Sequence, residues 1–245
     1  MENNISNRFV KCIENLLQGR ILCHALTPDL YRYLKEENEN GEYENEDRIN
    51  VFLTKMGRRL VKTSDEMGYY CCISNYDEGE AKAEGRAFIK KAAHEFEPLI
   101  KWLRIIRSCS QDSRPVCADD IIKPSEISHS LEESEILCKM LKDIANSFKV
   151  ASNSNDISKI LLAVIKYLVK EEYLVDANGD GLIYRATAKW SQFYDILEFV
   201  KQNEGFDRDK HLDSEQRQTD LFATANMTEV LVPDYSNKDE QKVLS

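Results

Sequence analysis

Two stretches of the chain, Ile49 to Ser74 and Leu161 to Thr187, follow one order: an amphipathic helix, a short strand, a polar turn and a second strand. In the first, Ile49, Phe52, Leu53, Met56 and Leu60 recur at helical spacing. Leu60 to Thr63 continues as a strand, Ser64 to Gly68 is the turn, and Tyr69 to Ile73 is a β-prone run. In the second, Ile160, Leu161, Val164, Ile165, Leu168 and Val169 make the helical stripe, Tyr173 to Val175 and Leu182 to Tyr184 the strands, and Asp176 to Gly181 the turn between them. The repeat is one of pattern, not of residue identity.

The residues upstream of the first unit complete a known order. Ser6 or Asn7 can cap a helix running to about Gln18, with Phe9, Ile13, Leu16 and Leu17 on one face and Gly19 as its stop. Ile21 to Cys23 is a short strand, and Thr27-Pro28 opens a helix that turns Leu30, Tyr31 and Leu34 inward. Helix, short strand, helix, helix and hairpin is the order of a winged-helix domain. The expected fold class is therefore mainly α with small β-hairpins (α+β), as tandem winged-helix domains.

From about Glu78 to Cys109 the chain reads as one long helix, kinked by Pro98 near His94, in which Phe88, Ala92, Phe96, Leu99, Leu103 and Ile106 step by three or four residues. A helix of that length joins domains or pairs with a second subunit, so Phe88, Phe96, Leu99, Leu103 and Ile106 are the candidates for dimer or partner binding. Beyond the polar stretch Ser110 to Pro115 come a strand at Ile121-Ile122, a helix from Pro124, apolar positions through Leu131 to Ile144, and a final amphipathic helix from Trp190 to near Gly205. This gives an N-terminal winged-helix domain over 1–76, a connecting helix over 77–109, a second winged-helix domain over 116–204, and a disordered acidic tail over 205–245.

Charge limits what such a chain does alone. The net charge of −10 in 245 residues argues against a protein that coats DNA unaided, since phosphate neutralisation needs a surplus of Lys and Arg on one face. The acids are concentrated in a loop from Glu36 to Asp47 and in residues 203 to 245, which hold ten acids against five bases. No apolar run approaches the roughly 20 residues that cross a bilayer, and the first residues lack the features of a secretion signal. The seven cysteines are odd in number and contain no C-x-x-C pair, which leaves disulfides and metal poorly supported. A cytoplasmic protein without cofactor or metal is expected.

Asp176-Ala177-Asn178-Gly179-Asp180-Gly181 matches the first half of a calcium-binding EF-hand loop, but the twelfth position is Thr187 instead of Glu, and a strand pattern stands where the exiting helix belongs. Asn-Gly and Asp-Gly are also favoured hairpin turns, and that is the preferred reading. His94-Glu95 begins a zinc motif that Pro98 breaks. With no phosphate loop, dinucleotide fingerprint or nucleophile elbow, no catalytic residue is assigned. The candidates for contact with DNA are Lys55, Arg58, Arg59 and Lys62 at the first helix end and hairpin, the stronger cluster, and Lys159, Lys166, Lys170, Arg185 and Lys189 in the second copy.

Leu17 to Cys23, Thr27 to Leu34, Val51 to Leu60, Tyr69-Tyr70 and the segment Phe96 to Ile100 together resemble the E subunit of MukBEF-like bacterial condensins, in particular its MksE branch. The resemblance covers about residues 15 to 107. It implies a kite protein: a tandem winged-helix homodimer that binds the kleisin subunit, which bridges the heads of an SMC-type ATPase. ATP hydrolysis would belong to that partner. DNA would be met in the assembled, nucleoid-associated complex, for chromosome organisation and segregation or for defence against plasmids as in Wadjet-like systems. The rival reading is a stand-alone winged-helix transcriptional regulator.

Overall fold

Left-handed glycines help set where two of the first three helices stop. In the computed structural model, which describes residues 2–38, 40–41, 43–74, 96–110, 114–150 and 156–203, α1 (Glu2–Leu17) ends where Gly19 takes φ +77°. The amide of Gly19 then reaches Leu16 O and that of Arg20 reaches Asn15 O, both at 3.0 Å, the paired bonds that close a helix at a left-handed residue. β1 (Leu22–Cys23) and α2 (Pro28–Leu34) follow. α3 (Glu44–Thr54) begins inside the acidic stretch and is shorter at its far end than the apolar spacing predicts. Gly57, at φ +68°, turns the chain, and Asn50 Oδ1 captures the Leu60 amide at 2.9 Å. Met56 and Leu60 therefore lie outside the helix, Leu60 on β2 (Arg58–Lys62).

β2 pairs antiparallel with β3 (Gly68–Ile73), Leu60 opposite Cys71, and β3 pairs on its other edge with β1, Leu22 opposite Tyr69. The sheet order is β1-β3-β2. Cys12, Leu16, Leu22, Tyr33, Leu34, Ile49, Leu53 and Tyr69 bury one core beneath it. Leu17, expected inward, is exposed, and Tyr33 takes an inward position that the spacing assigned to Tyr31.

The second half repeats the order with additions. α4, helical over 96–109, leads to β4 (Ile121–Ile122), α5 (Pro124–Glu132), α6 (Glu135–Ser147), α7 (Ile157–Lys170), β5 (Leu174–Asp176), β6 (Tyr184–Ala186) and α8 (Lys189–Asn203). The apolar run from Leu131 to Ile144 is broken in two at Ser134, whose hydroxyl accepts the Leu137 amide and so starts α6. Asp156 caps α7 in the same way through the Ser158 amide, at 3.0 Å. The second strand begins at Tyr184, later than the apolar run suggests. The sheet order is β4-β6-β5. In both halves, then, the first strand pairs with the last, and a helix leads directly into the hairpin.

α4 is not a connector standing between two cores. Leu99, Ile100, Trp102, Leu103 and Ile105 are buried in the second core with Leu131, Leu141, Val164, Leu168, Trp190 and Phe193, and Phe96 meets Phe193 edge-on at 4.9 Å. The second unit thus begins at or before residue 96. The start of the expected long helix, its kink near His94, Phe88 and the tail over 205–245 lie outside the described residues. Among the described residues no helix is long and apolar enough to cross a membrane.

Candidate nucleic-acid interface

The helix before each hairpin has an inner face that the core requires and an outer face that is free to vary. On α7, Ile160, Leu161, Val164, Ile165 and Leu168 are buried, while Lys159, Leu162, Lys166 and Lys170 are exposed. Spacings of seven and four put the three lysines on one side, and α7 carries no acid. Lys159 reaches Asp156 at 3.5 Å, an exposed pair of a kind that adds at most about 1 kcal/mol. Lys166 and Lys170 have no ion pair to any described residue.

α3 presents the opposite chemistry. Its first turn holds Glu44, Glu46 and Asp47, and its outer face and C-terminal turn expose Val51 (58%), Phe52 (40%) and Met56 (50%). Phe52 contacts Phe9 of α1 edge-on at 5.7 Å, so the apolar surface is shared between the two helices. Of the four cations read as the stronger cluster, Lys62 is engaged. Its ammonium is 3.0 Å from Glu46 and lies over the rings of Tyr43 and Tyr69. Arg58 and Arg59 sit on β2 beside the thiols of Cys71 and Cys72. Lys55 and Arg59 face solvent.

In the second hairpin, Arg185 lies 3.6 Å from Asp119, and the Lys189 ammonium donates to Glu171 O at 2.5 Å and covers the Tyr173 ring. These two cations brace the fold. The Asp176 carboxylate accepts the amides of Asn178, Gly179 and Gly181 at 3.2, 2.7 and 2.9 Å. The turn leads into β6, with α8 beginning only at Lys189, so the exit helix of an EF-hand is replaced by a strand. Among the described residues no group of three His, Cys, Asp or Glu side chains is placed to hold a metal.

The candidates for partner binding on α4 require correction. Leu99 and Leu103 are buried in the core of their own half, and Phe96 and Ile106 pack against it. A broad apolar stripe is what a helix needs to enter a core as much as to meet a partner. Periodicity does not separate the two.

A contact between the halves has no counterpart in the sequence reading. The first hairpin turn meets α8: the Ser64 amide and hydroxyl donate to the Asp195 carboxylate, the amide at 3.3 Å, and the Ser191 hydroxyl donates to Asp65 Oδ2 at 2.6 Å. Burial raises the Asp195 carboxyl above its usual range, the Ser64 bonds oppose that rise, and Asp65 adds to it. Alongside, Ile21, Cys23 and Ala188 form a small buried cluster flanked by Ala25, Leu26, Met67, Tyr70 and Ala118. A Cβ placed on Gly68 would stand 2.7 Å from Ala188 Cβ and 2.9 Å from Ile21 Cδ1. Arg20 donates to Glu172, its Nε at 2.8 Å, and Glu172 holds a left-handed backbone at φ +63° without being glycine. Compared with known proteins, the chain matches no family model and no curated sequence.

Proposed function

We propose that this chain is a non-catalytic tandem winged-helix subunit, of the kite class, in an SMC–kleisin complex. It homodimerises, binds the kleisin and helps clamp DNA, for chromosome organisation or plasmid defence. One observation carries the reading: in both halves a helix precedes a short strand, further helices follow, the last of them runs directly into a β-hairpin, and the first strand pairs with the last. Such a pair of small domains offers two helix faces outward. Here one is apolar, through Val51, Phe52 and Met56, and suits a protein segment. The other bears the lysines of α7 and suits phosphate. The net charge of −10 fits a subunit that meets DNA only in company.

Coexpression with the kleisin-like and coiled-coil ATPase reading frames expected beside its gene tests the proposal. The three products should co-purify, and sedimentation should give a dimer of this chain. Tight, salt-sensitive DNA binding by the isolated protein, with a sequence-specific footprint, would instead identify a free-standing regulator.

A further inference from the structure

We infer that the two halves have divided their labour, with the outer face of α7 as the surface that takes the phosphates of duplex DNA and the equivalent face of the first half closed to them. The inference rests on the function proposed above and assigns one side of it to particular residues.

The face of α7 presents the positive charge that phosphate contact needs. Lys159, Lys166 and Lys170 lie along one exposed side of a helix that contains no acid. Their hydrated ammonium groups suit sequence-independent phosphate contact more than base reading.

Three separate features close the first half. The acids of the first turn of α3, Glu44, Glu46 and Asp47, place negative charge where a helix N-terminus would otherwise attract an anion. Lys62 is held by Glu46 and by two aromatic rings. The turn of the first hairpin is bound to α8 through Ser64, Asp65, Ser191 and Asp195, so it cannot lie along a groove of DNA while the halves stay in contact. Arg185 and Lys189 of the second half are engaged much as Lys62 is, but the first turn of α7 carries no acid and the turn of its hairpin, from Ala177 to Asp180, is exposed.

The test uses the full chain, alone at low salt and in the complex with its kleisin and ATPase, and a labelled duplex of arbitrary sequence as the probe. Lys159, Lys166 and Lys170 are changed together to Glu in one variant, Lys55 and Arg59 in another. Circular dichroism and urea titration confirm that both fold. The α7 variant should lose DNA binding, and the slope of log affinity on log salt should fall by about 0.9 for each phosphate contact removed. The Lys55/Arg59 variant should bind as the parent does. Loss in the second variant with binding kept in the first overturns the inference. So does DNA binding unchanged in the α7 variant while the kleisin is released, since the lysines would then serve an acidic protein segment, and so does the absence of any DNA binding in either setting. Failure of the proposed function would look different: no kleisin or ATPase would co-purify with the parent protein.

Discussion

The Ser191 hydroxyl on α8 donates to the Asp65 carboxylate at 2.6 Å, across 126 positions of sequence. Asp65 also accepts the Thr63 hydroxyl at 2.6 Å and the Met67 amide at 3.1 Å, so one carboxylate both shapes the hairpin turn and ties it to the other half. Ser191→Ala should cost about 1 kcal/mol, and Asp65→Ala more, because it leaves the turn without its acceptor. Urea unfolding of the single and double variants forms the check. A coupling energy near zero would mean that the Ser191 bond adds nothing.

Gly68 should tolerate no side chain while the halves remain in contact. Its Cβ position is filled by Ala188 and Ile21, and overpacking of that kind costs roughly 1–3 kcal/mol. Gly68→Val should lower the urea midpoint, and Ala188→Gly should recover part of the loss in Gly68→Ala. Recovery in neither direction would show that the clash is relieved elsewhere.

The raised carboxyl of Asp195 predicts a pH effect of defined sign. A group that holds its proton more firmly in the folded chain than in the unfolded one contributes stability at low pH, which is lost as pH rises through the folded value. Asp195→Asn removes that contribution. The gap in unfolding free energy between variant and parent should therefore change as pH is lowered from neutrality towards about 4, the ordinary aspartate value, with the variant favoured most at neutral pH. A gap independent of pH would contradict the assignment.

Burial pushes the Cys12 thiol up to about 12 and raises Cys23 as well. Thiolate is the reactive form, so neither should react with a disulfide reagent at pH 8 in the folded chain. Cys12 lies in the first core and Cys23 in the cluster between the halves, which makes their relative rates informative. In Gly68→Val, Cys23 should label faster while Cys12 stays protected. Equal acceleration of both would indicate global unfolding instead.

Much of the fold was legible because it is local. The apolar spacing of α7 and the turn chemistry around Asn178-Gly179 act within a few residues, and each stands where its pattern put it, whereas the cap at Ser134 splits a run that reads as continuous. The first hairpin was found with its strands extended by one or two residues, since Gly57 and Asn50 end α3 by a turn and a side-chain bond that periodicity does not register. The contact between the halves was hidden for a different reason. Its closest approach is between two small residues, Gly68 and Ala188, and its polar pairs are separated by more than a hundred positions, neither of which leaves a period. The cations illustrate the same limit. Lys62 and Lys166 look alike in the sequence, and only their surroundings separate a brace from an open charge.

The close approach at Gly68 has a mechanical consequence. Two domains joined only through long side chains can rock against each other, because each side chain is a soft spring. Where a hairpin backbone sits directly against Ala188, with Ala25 and Ala118 as its neighbours, there is almost no compliance in the joint. A pull applied at the apolar face of α1 and α3 would reach the second half first at Ala188 and α8.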